Sequence, residues 1–274
     1  MPKDIAITHC ILDADGVLWD VEKPKDGIVE FMAALRELGI GFTVATNIAR
    51  YDGKHFVDKF KRFGVDVSPE EIITSPQATA AYIKRTAPDA RIFIVGEAGL
   101  RAELEAVGLK VINDEWKGGA WTNPPSHVVC GMDTGLTYMD KLAPATTAVK
   151  DHGAILISTN PDRLSKHSSG ASYPGGGSAG ALLAYCTGTQ PIVIGKPEPT
   201  MFLEAMRRMG AKPATTVVVG DNLETEILAG QTLGMPTWLV LSGITTEAEL
   251  AKAPRKPDRV FADIREITAF LRQR

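Results

Sequence analysis

An α/β fold built on a mainly parallel sheet is what this sequence predicts, and three observations carry the prediction. Short runs rich in β-branched residues alternate with helical patterns along the whole length. The first of these runs is almost continuously apolar, as expected for a strand covered on both faces. No solenoid-type repeat or low-complexity tail competes with that pattern.

The first strand is read in Ile5-Ala6-Ile7-Thr8-His9-Cys10-Ile11-Leu12. A helix follows, because Ile28, Phe31, Met32, Leu35 and Leu38 recur at three- and four-residue steps and Gly39 supplies a stop. Gly41 to Ala45 reads as the next strand, followed by a loop and a helix around His55 to Phe63. Late in the chain, Thr216 to Val219 and Thr237 to Leu241 read as buried strands joined by a helix from about Glu224 to Leu233. The middle behaves as a second α/β unit. Strands are expected at Arg91 to Val95, Val128 to Gly131 and Ile155 to Ser158, separated by helices near Leu100 to Val107 and Met139 to Asp151. Ser168 to Gly180 turns to Ser, Gly, Pro and Tyr, which marks a long loop with no strand in Ser168 to Pro174. The chain is therefore divided into a core of residues 1–80 and 188–274 and an inserted domain of residues 81–187.

Composition sets the outer bounds. With 274 residues, 44% hydrophobic and 23% charged, the chain has the make-up of a globular protein with a sizeable core. A net charge of -3 gives no basic field for nucleic acid or an anionic membrane. Cys10, Cys130 and Cys186 lie far apart without CxxC spacing, which argues against a zinc site or disulfide framework. Neither a signal peptide nor a long apolar span is evident, so a reduced, cytoplasmic location is expected.

Chemistry-bearing residues fall at strand ends. Asp13-Ala14-Asp15-Gly16-Val17 closes the first strand, and open α/β sheets bind ligands at such carboxyl ends. Thr46-Asn47 follows the second strand, Lys196-Pro197 follows Ile192 to Ile194, and Gly220-Asp221 follows Thr216 to Val219, with Glu226 on the next helix. Each alone has an ordinary explanation: a turn, a helix cap, a solvated lysine. Four such coincidences in one order do not.

Asp13-Ala14-Asp15-Gly16-Val17-Leu18, Thr46-Asn47, Gly195-Lys196-Pro197-Glu198-Pro199 and Val219-Gly220-Asp221-Asn222-Leu223-Glu224-Thr225-Glu226-Ile227 resemble the four motifs of the haloacid dehalogenase (HAD) phosphatases. The intervals between them are similar to the class IIA branch, which includes phosphatases of 4-nitrophenyl phosphate, pyridoxal phosphate, nucleotides and phosphoglycolate. The resemblance implies a Rossmann-like parallel-sheet core with an inserted α/β C2-type cap that closes over substrate. It implies Mg²⁺ held by the Asp13 carboxylate, the Asp15 backbone carbonyl and Asp221, with Asn222 and Glu226 behind them. All-oxygen ligation of this kind suits that ion. It also implies that Asp13 attacks phosphorus, that Asp15 protonates the leaving oxygen and then activates water, and that Lys196 offsets charge. Thr46 and backbone N–H groups near Asp15, Gly16 and Asn47 would cradle the phosphoryl oxygens. In the cap, Thr159-Asn160-Pro161-Asp162 has two readings: a simple turn, since Asn-Pro-Asp is strong turn chemistry, or, as the resemblance implies, a loop whose Asn160 and Asp162 touch the leaving group.

Two departures stand out. Ile48 occupies a position where class IIA members usually carry a second Asn. Glu226 replaces the usual Asp, which moves the carboxylate by about 1.5 Å. Gly175 to Gly180 fits GxGxxG but lacks the preceding strand of a dinucleotide site, so tight chain passage and a helix start are expected there. His9 reads as a core or edge residue, His127, His152 and His167 lack metal spacing, and Trp116 and Trp121 read as cap packing. Arg163 and Lys166 read as solvated charge, with pairing to an anionic substrate as the other reading. The partner expected is a small phosphorylated metabolite, and the resemblance extends to caps that pair into homodimers. A catalytically weak sensor of phosphorylated metabolites is the alternative, and a dehalogenase a third reading that Asp15 and Asp221 disfavour.

Overall fold

Cys10, Ile11 and Leu12 are fully buried, and they lie in the middle of a six-stranded sheet. Across that sheet the strands run Arg259–Phe261, Thr237–Val240, Thr216–Gly220, His9–Asp13, Gly41–Thr46 and Ile72–Thr74. His9–Asp13 is parallel to both neighbours, with His9 opposite Thr216 on one side and Gly41 on the other. Thr237–Val240 is likewise parallel to Thr216–Gly220 and to Arg259–Phe261. The computed structural model describes residues 6–166 and 170–273; Ile5, His167 and Ser168 and the Lys166 side chain fall outside what it describes. The α/β class read from the sequence is what the chain adopts.

Strand order matters more than strand count here. From His9–Asp13 the chain moves to one side to form Gly41–Thr46 and later returns on the other side as Thr216–Gly220. Such a reversal opens a crevice at the carboxyl ends of the flanking strands. Helix Ile28–Glu37 covers one face through Ile28, Phe31, Met32 and Leu35, and Gly39, at φ 65°, ends it. Helix Gly53–Arg62 places Phe56 and Phe60 on Trp19, with ring centroids 6.4 and 5.2 Å apart.

By packing, the chain divides into two units: residues 1–46, 54–73 and 196–274, and residues 47–53 and 74–195. The sequence reading draws its joins at 80/81 and 187/188. The second unit has its own five-stranded sheet, ordered Ile192–Val193, Ile155–Ser158, His127–Cys130, Arg91–Val95, Lys110–Val111, and every pair in it is parallel. Phe93, Val128, Leu156, Val149 and Leu183 share its core. Trp121 is buried there, 4.9 Å from the Trp116 ring, with its indole N–H donating to Pro144 O at 3.0 Å.

Two expectations need correction. Ser168 to Pro174 was expected to hold no strand, yet Ser172–Pro174 pairs antiparallel with Leu164–Lys166. Turn-rich composition masks so short a hairpin, because three paired residues need no apolar alternation. The helices expected at Met139 to Asp151 and Glu224 to Leu233 each open with a wider π-type turn, Tyr138–Leu142 and Leu223–Ile227. Turns of that kind are frequent at functional sites.

Candidate active site

Asp13 is the last residue of its strand, Thr46 the last of one neighbour, and Asp221 follows directly on Gly220 at the end of the other. Parallel pairing therefore delivers all three to one edge of the sheet. Lys196 joins them. Its ammonium donates to Asp13 Oδ1, to Ala45 O at 3.0 Å, and pairs with Glu226 Oε1 at 2.8 Å. Asp13, Lys196, Asp221 and Glu226 are all buried. The wide Leu223–Ile227 turn carries Glu226 inward, where Thr225 Oγ1 donates to its Oε2 at 2.7 Å. Gly220 has no Cβ to obstruct the Glu226 stem, which lies directly against it.

Asp13, Asp221 and Glu226 each offer an oxygen within 4.8 Å of the others. Three carboxylates facing one ammonium leave a formal surplus of two negative charges, which a single divalent cation would balance. The donors are all oxygen and the cluster lacks a full cage, both of which fit Mg²⁺. Burial raises Asp13 well above the usual carboxylate range, Lys196 opposes the rise, and Glu226 and Asp221 add to it. Burial, then the Glu226 charge, pushes Asp221 up to about 6, against the pull of the Ile244 N–H. Burial works against the charge on Lys196, but Asp13 and Glu226 more than reverse it and hold the ammonium above its ordinary value.

A pH prediction follows from these directions. Acids whose values rise on folding bind more protons in the native state, so stability declines as pH rises. For Asp221 the window runs from its ordinary 3.8 to about 6. With a chelator present, the unfolding temperature of the wild type should fall across that window relative to Asp221→Asn. Added Mg²⁺ should restore it more at pH 7 than at pH 4.5. Parallel curves for the two proteins would contradict the raised carboxylate.

One loop contributes that sequence reasoning missed. Ile244 N donates to Asp221 Oδ2 at 2.8 Å, Thr245 N donates to Asp221 O at 3.0 Å, and Ser242 Oγ donates to Gly16 O at 2.8 Å. A Cβ at Gly243 or at Gly16 would overlap the Asp221 carboxylate. Toward Asp221 the loop acts through backbone N–H groups and an absent side chain, and neither leaves a side-chain signature in the sequence.

Asp15 and Gly16 turn away from the strand into a tight loop. Gly16, at φ 82°, spends its N–H on Trp19 O at 2.7 Å, so that donor is not available to the phosphoryl cradle expected of it. Burial raises Asp15 above its ordinary value, and the Lys59 charge, the Trp19 indole and the Val21 backbone pull it back. Asn222 caps the next turn, accepting from Glu224 N at 2.9 Å.

In the second unit, Asn47, Asn160 and Asp162 form one network. Asn160 Nδ2 donates to Asn47 O at 2.7 Å, Asn47 Nδ2 to Asp162 Oδ1 at 3.0 Å, and Asp162 N to Asn160 Oδ1 at 3.0 Å. Ser75 Oγ adds a donor to Asn47 O at 2.9 Å. Asn160 is buried and committed to holding this segment. The glycine run explains its tightness, since Cβ atoms at Gly175, Gly176 and Gly177 would strike Asp162, Asn160 and Pro161. Helix Ser178–Thr187 begins just beyond.

Comparison with known proteins points one way. Residues 10–110 match a haloacid dehalogenase-like hydrolase model, and residues 193–267 match a second, HAD-hydrolase-like model. The acid sugar phosphatase of Staphylococcus aureus (strain USA300) is 33% identical over 95% of this chain and 96% of its own length. The p-nitrophenyl phosphatase from Archaeoglobus fulgidus superposes with a TM-score of 0.87 at 30% identity, covering 97% of this chain and 99% of that one. The hypothetical protein PH1952 from Pyrococcus horikoshii OT3 superposes with a TM-score of 0.90 at 35% identity, covering 97% and 100%. Among the described residues, no helix is long and apolar enough to cross a membrane.

Proposed function

Because the chain belongs to the haloacid dehalogenase-like hydrolases and is an enzyme of their phosphatase type, we propose that it hydrolyses small phosphate monoesters with Mg²⁺ through an aspartyl phosphate on Asp13. The observation that carries this reading is the clustering of Asp13, Asp221 and Glu226 oxygens beside a buried ammonium that pairs with Asp13 and Glu226. Relatives named for acid sugar phosphate and nitrophenyl phosphate hydrolysis support sugar and aryl phosphates as the substrate class.

Asp13, Asp221 and the Asp15 backbone carbonyl would hold the ion, with Glu226 behind them, and the ion would supply positive charge against the phosphoryl oxygens when bound. The Asp13 carboxylate oxygen forms a bond to phosphorus as the ester oxygen leaves, and Asp15 gives that oxygen its proton. Asp15 then removes a proton from water as it attacks the aspartyl phosphate, freeing inorganic phosphate and the Asp13 carboxylate. Lys196 keeps Asp13 oriented, and its charge offsets the meeting of two anions. Thr46 lies at the adjoining strand end, where its hydroxyl can bind a phosphoryl oxygen.

Phosphate release from 4-nitrophenyl phosphate and phenyl phosphate, with Mg²⁺ and with chelator, tests the proposal. Turnover should depend on the ion, and Asp15→Asn should lose about 10²-fold or more on phenyl phosphate, whose leaving group needs protonation, and less on the nitrophenyl ester. Turnover indifferent to chelation would end the Mg²⁺ reading. Negligible turnover on a broad panel of phosphate monoesters would favour the sensor, and equal losses of kcat/KM on both esters would remove Asp15 from the acid role.

A further inference from the structure

Lys59, on helix Gly53–Arg62, is a lysine only 3% exposed, and nothing in the proposed reaction yet uses it. Lysine is rarely buried without a partner, because its desolvation is costly. Its ammonium donates to Val21 O, lies 4.5 Å from the centre of the Trp19 ring, and stands 3.6 Å from the largely exposed Glu22 Oε1. All three contacts fall on the small turn that follows Asp15: strand Trp19–Asp20 pairs antiparallel with Lys23–Pro24 across Val21 and Glu22.

That turn is strained. Val21 adopts φ 52°, and it is the non-glycine residue with positive φ among those described. A β-branched residue there is a genuine outlier, and such strain persists only where the surroundings over-determine it. The buried ammonium on the Val21 carbonyl is such a restraint. The same turn is bonded back to the segment that carries the acid: Asp15 and Trp19 form an isolated parallel bridge, and Gly16 N donates to Trp19 O at 2.7 Å. Trp19 Nε1 is buried with no hydrogen-bond partner among the described residues. The largely exposed Glu22 offsets little of the cost of burying that charge, and the turn the ammonium fastens is the one bonded back to the Asp15 segment.

We propose that Lys59 is a positioning residue for the Asp15 carboxylate, acting through the strained Val21 turn and the Trp19 ring it stacks on. The inference rests on the reading of Asp15 as proton donor and goes beyond it by naming what aims the donor. A side chain that only stabilises the fold would change all substrates alike. One that aims the acid changes those whose leaving group needs the proton.

The test uses full-length Lys59→Met, Lys59→Arg and Asp15→Asn with Mg²⁺, assayed on 4-nitrophenyl phosphate and phenyl phosphate, which differ in leaving group far more than in shape. Lys59→Met should lower kcat/KM on phenyl phosphate by about 10-fold relative to kcat/KM on the nitrophenyl ester, and Lys59→Arg should restore most of that ratio. An unchanged ratio in Lys59→Met, beside a lowered ratio in Asp15→Asn, would overturn the positioning role while the acid role stands. An unchanged ratio in Asp15→Asn would instead overturn the acid role, and this inference with it. If Lys59→Met does not fold, Lys59→Gln, which keeps a donor for Val21 O without the charge, is read by the same ratio and the same outcomes.

Discussion

Asp13→Asn is expected to give a folded protein that releases phosphate at least about 10⁴-fold more slowly than the wild type, since knocking out a covalent nucleophile carries losses of that order or more. The amide has nearly the volume of the carboxylate but cannot form the acyl phosphate. Folding should survive because Lys196 keeps Glu226 and Ala45 O as partners. The substitution also removes one of three crowded acids, so the unfolding temperature in chelator should hold or rise. Phosphate release and thermal unfolding measure the two halves. Acid-quenched wild type should carry a phosphoryl group by mass that the mutant lacks. Near-normal turnover in the mutant would remove Asp13 from the nucleophile role.

Lys196→Met should damage both stability and turnover, unlike the first mutation. The ammonium is buried between Asp13 and Glu226, and removing one partner of a buried ion pair strands the others. A loss of about 3–5 kcal/mol in denaturant unfolding is expected for such a break. Turnover should fall by about 10³-fold, as when an electrostatic stabiliser is deleted from an active site. Adding Glu226→Gln to Lys196→Met should regain part of the stability by neutralising one stranded carboxylate, without regaining activity. If the double mutant is as unstable as the single one, Glu226 is not the partner whose charge Lys196 neutralises.

Much of this site is legible in the residues because its chemistry sits in side chains at strand ends. Asp13, Thr46 and Asp221 each close a short apolar run that announces its strand, and parallel pairing brings them to one edge, whereas Lys196 follows Ile192–Val193, a strand of the other sheet. What escapes the sequence is work done by backbone and by small residues. Helix Ser75–Thr86 packs through Ala78, Thr79 and Ala80, which give almost no hydrophobic period, although Thr74 and Gln77 cap it reciprocally. Strands of two residues such as Lys110–Val111 are too short to show any period. Asn160 and Asp162 are found where turn chemistry suggested a loop, but their mutual hydrogen bonds with Asn47, 113 positions earlier for Asn160, have no local sign. Lys59 reads as one more cation on a basic amphipathic helix. Only the fold shows that it points inward.

The Ser242 to Thr245 loop places neighbouring residues under opposite restraint. Ile244 contributes only its amide hydrogen and leaves its side chain 67% exposed. Drift at that position is therefore unconstrained except for proline, which has no hydrogen to give. One residue earlier nothing larger than glycine fits against the carboxylate. Homologous chains are thus free to display varied surfaces at the rim of this crevice while keeping the acid beneath it in one orientation.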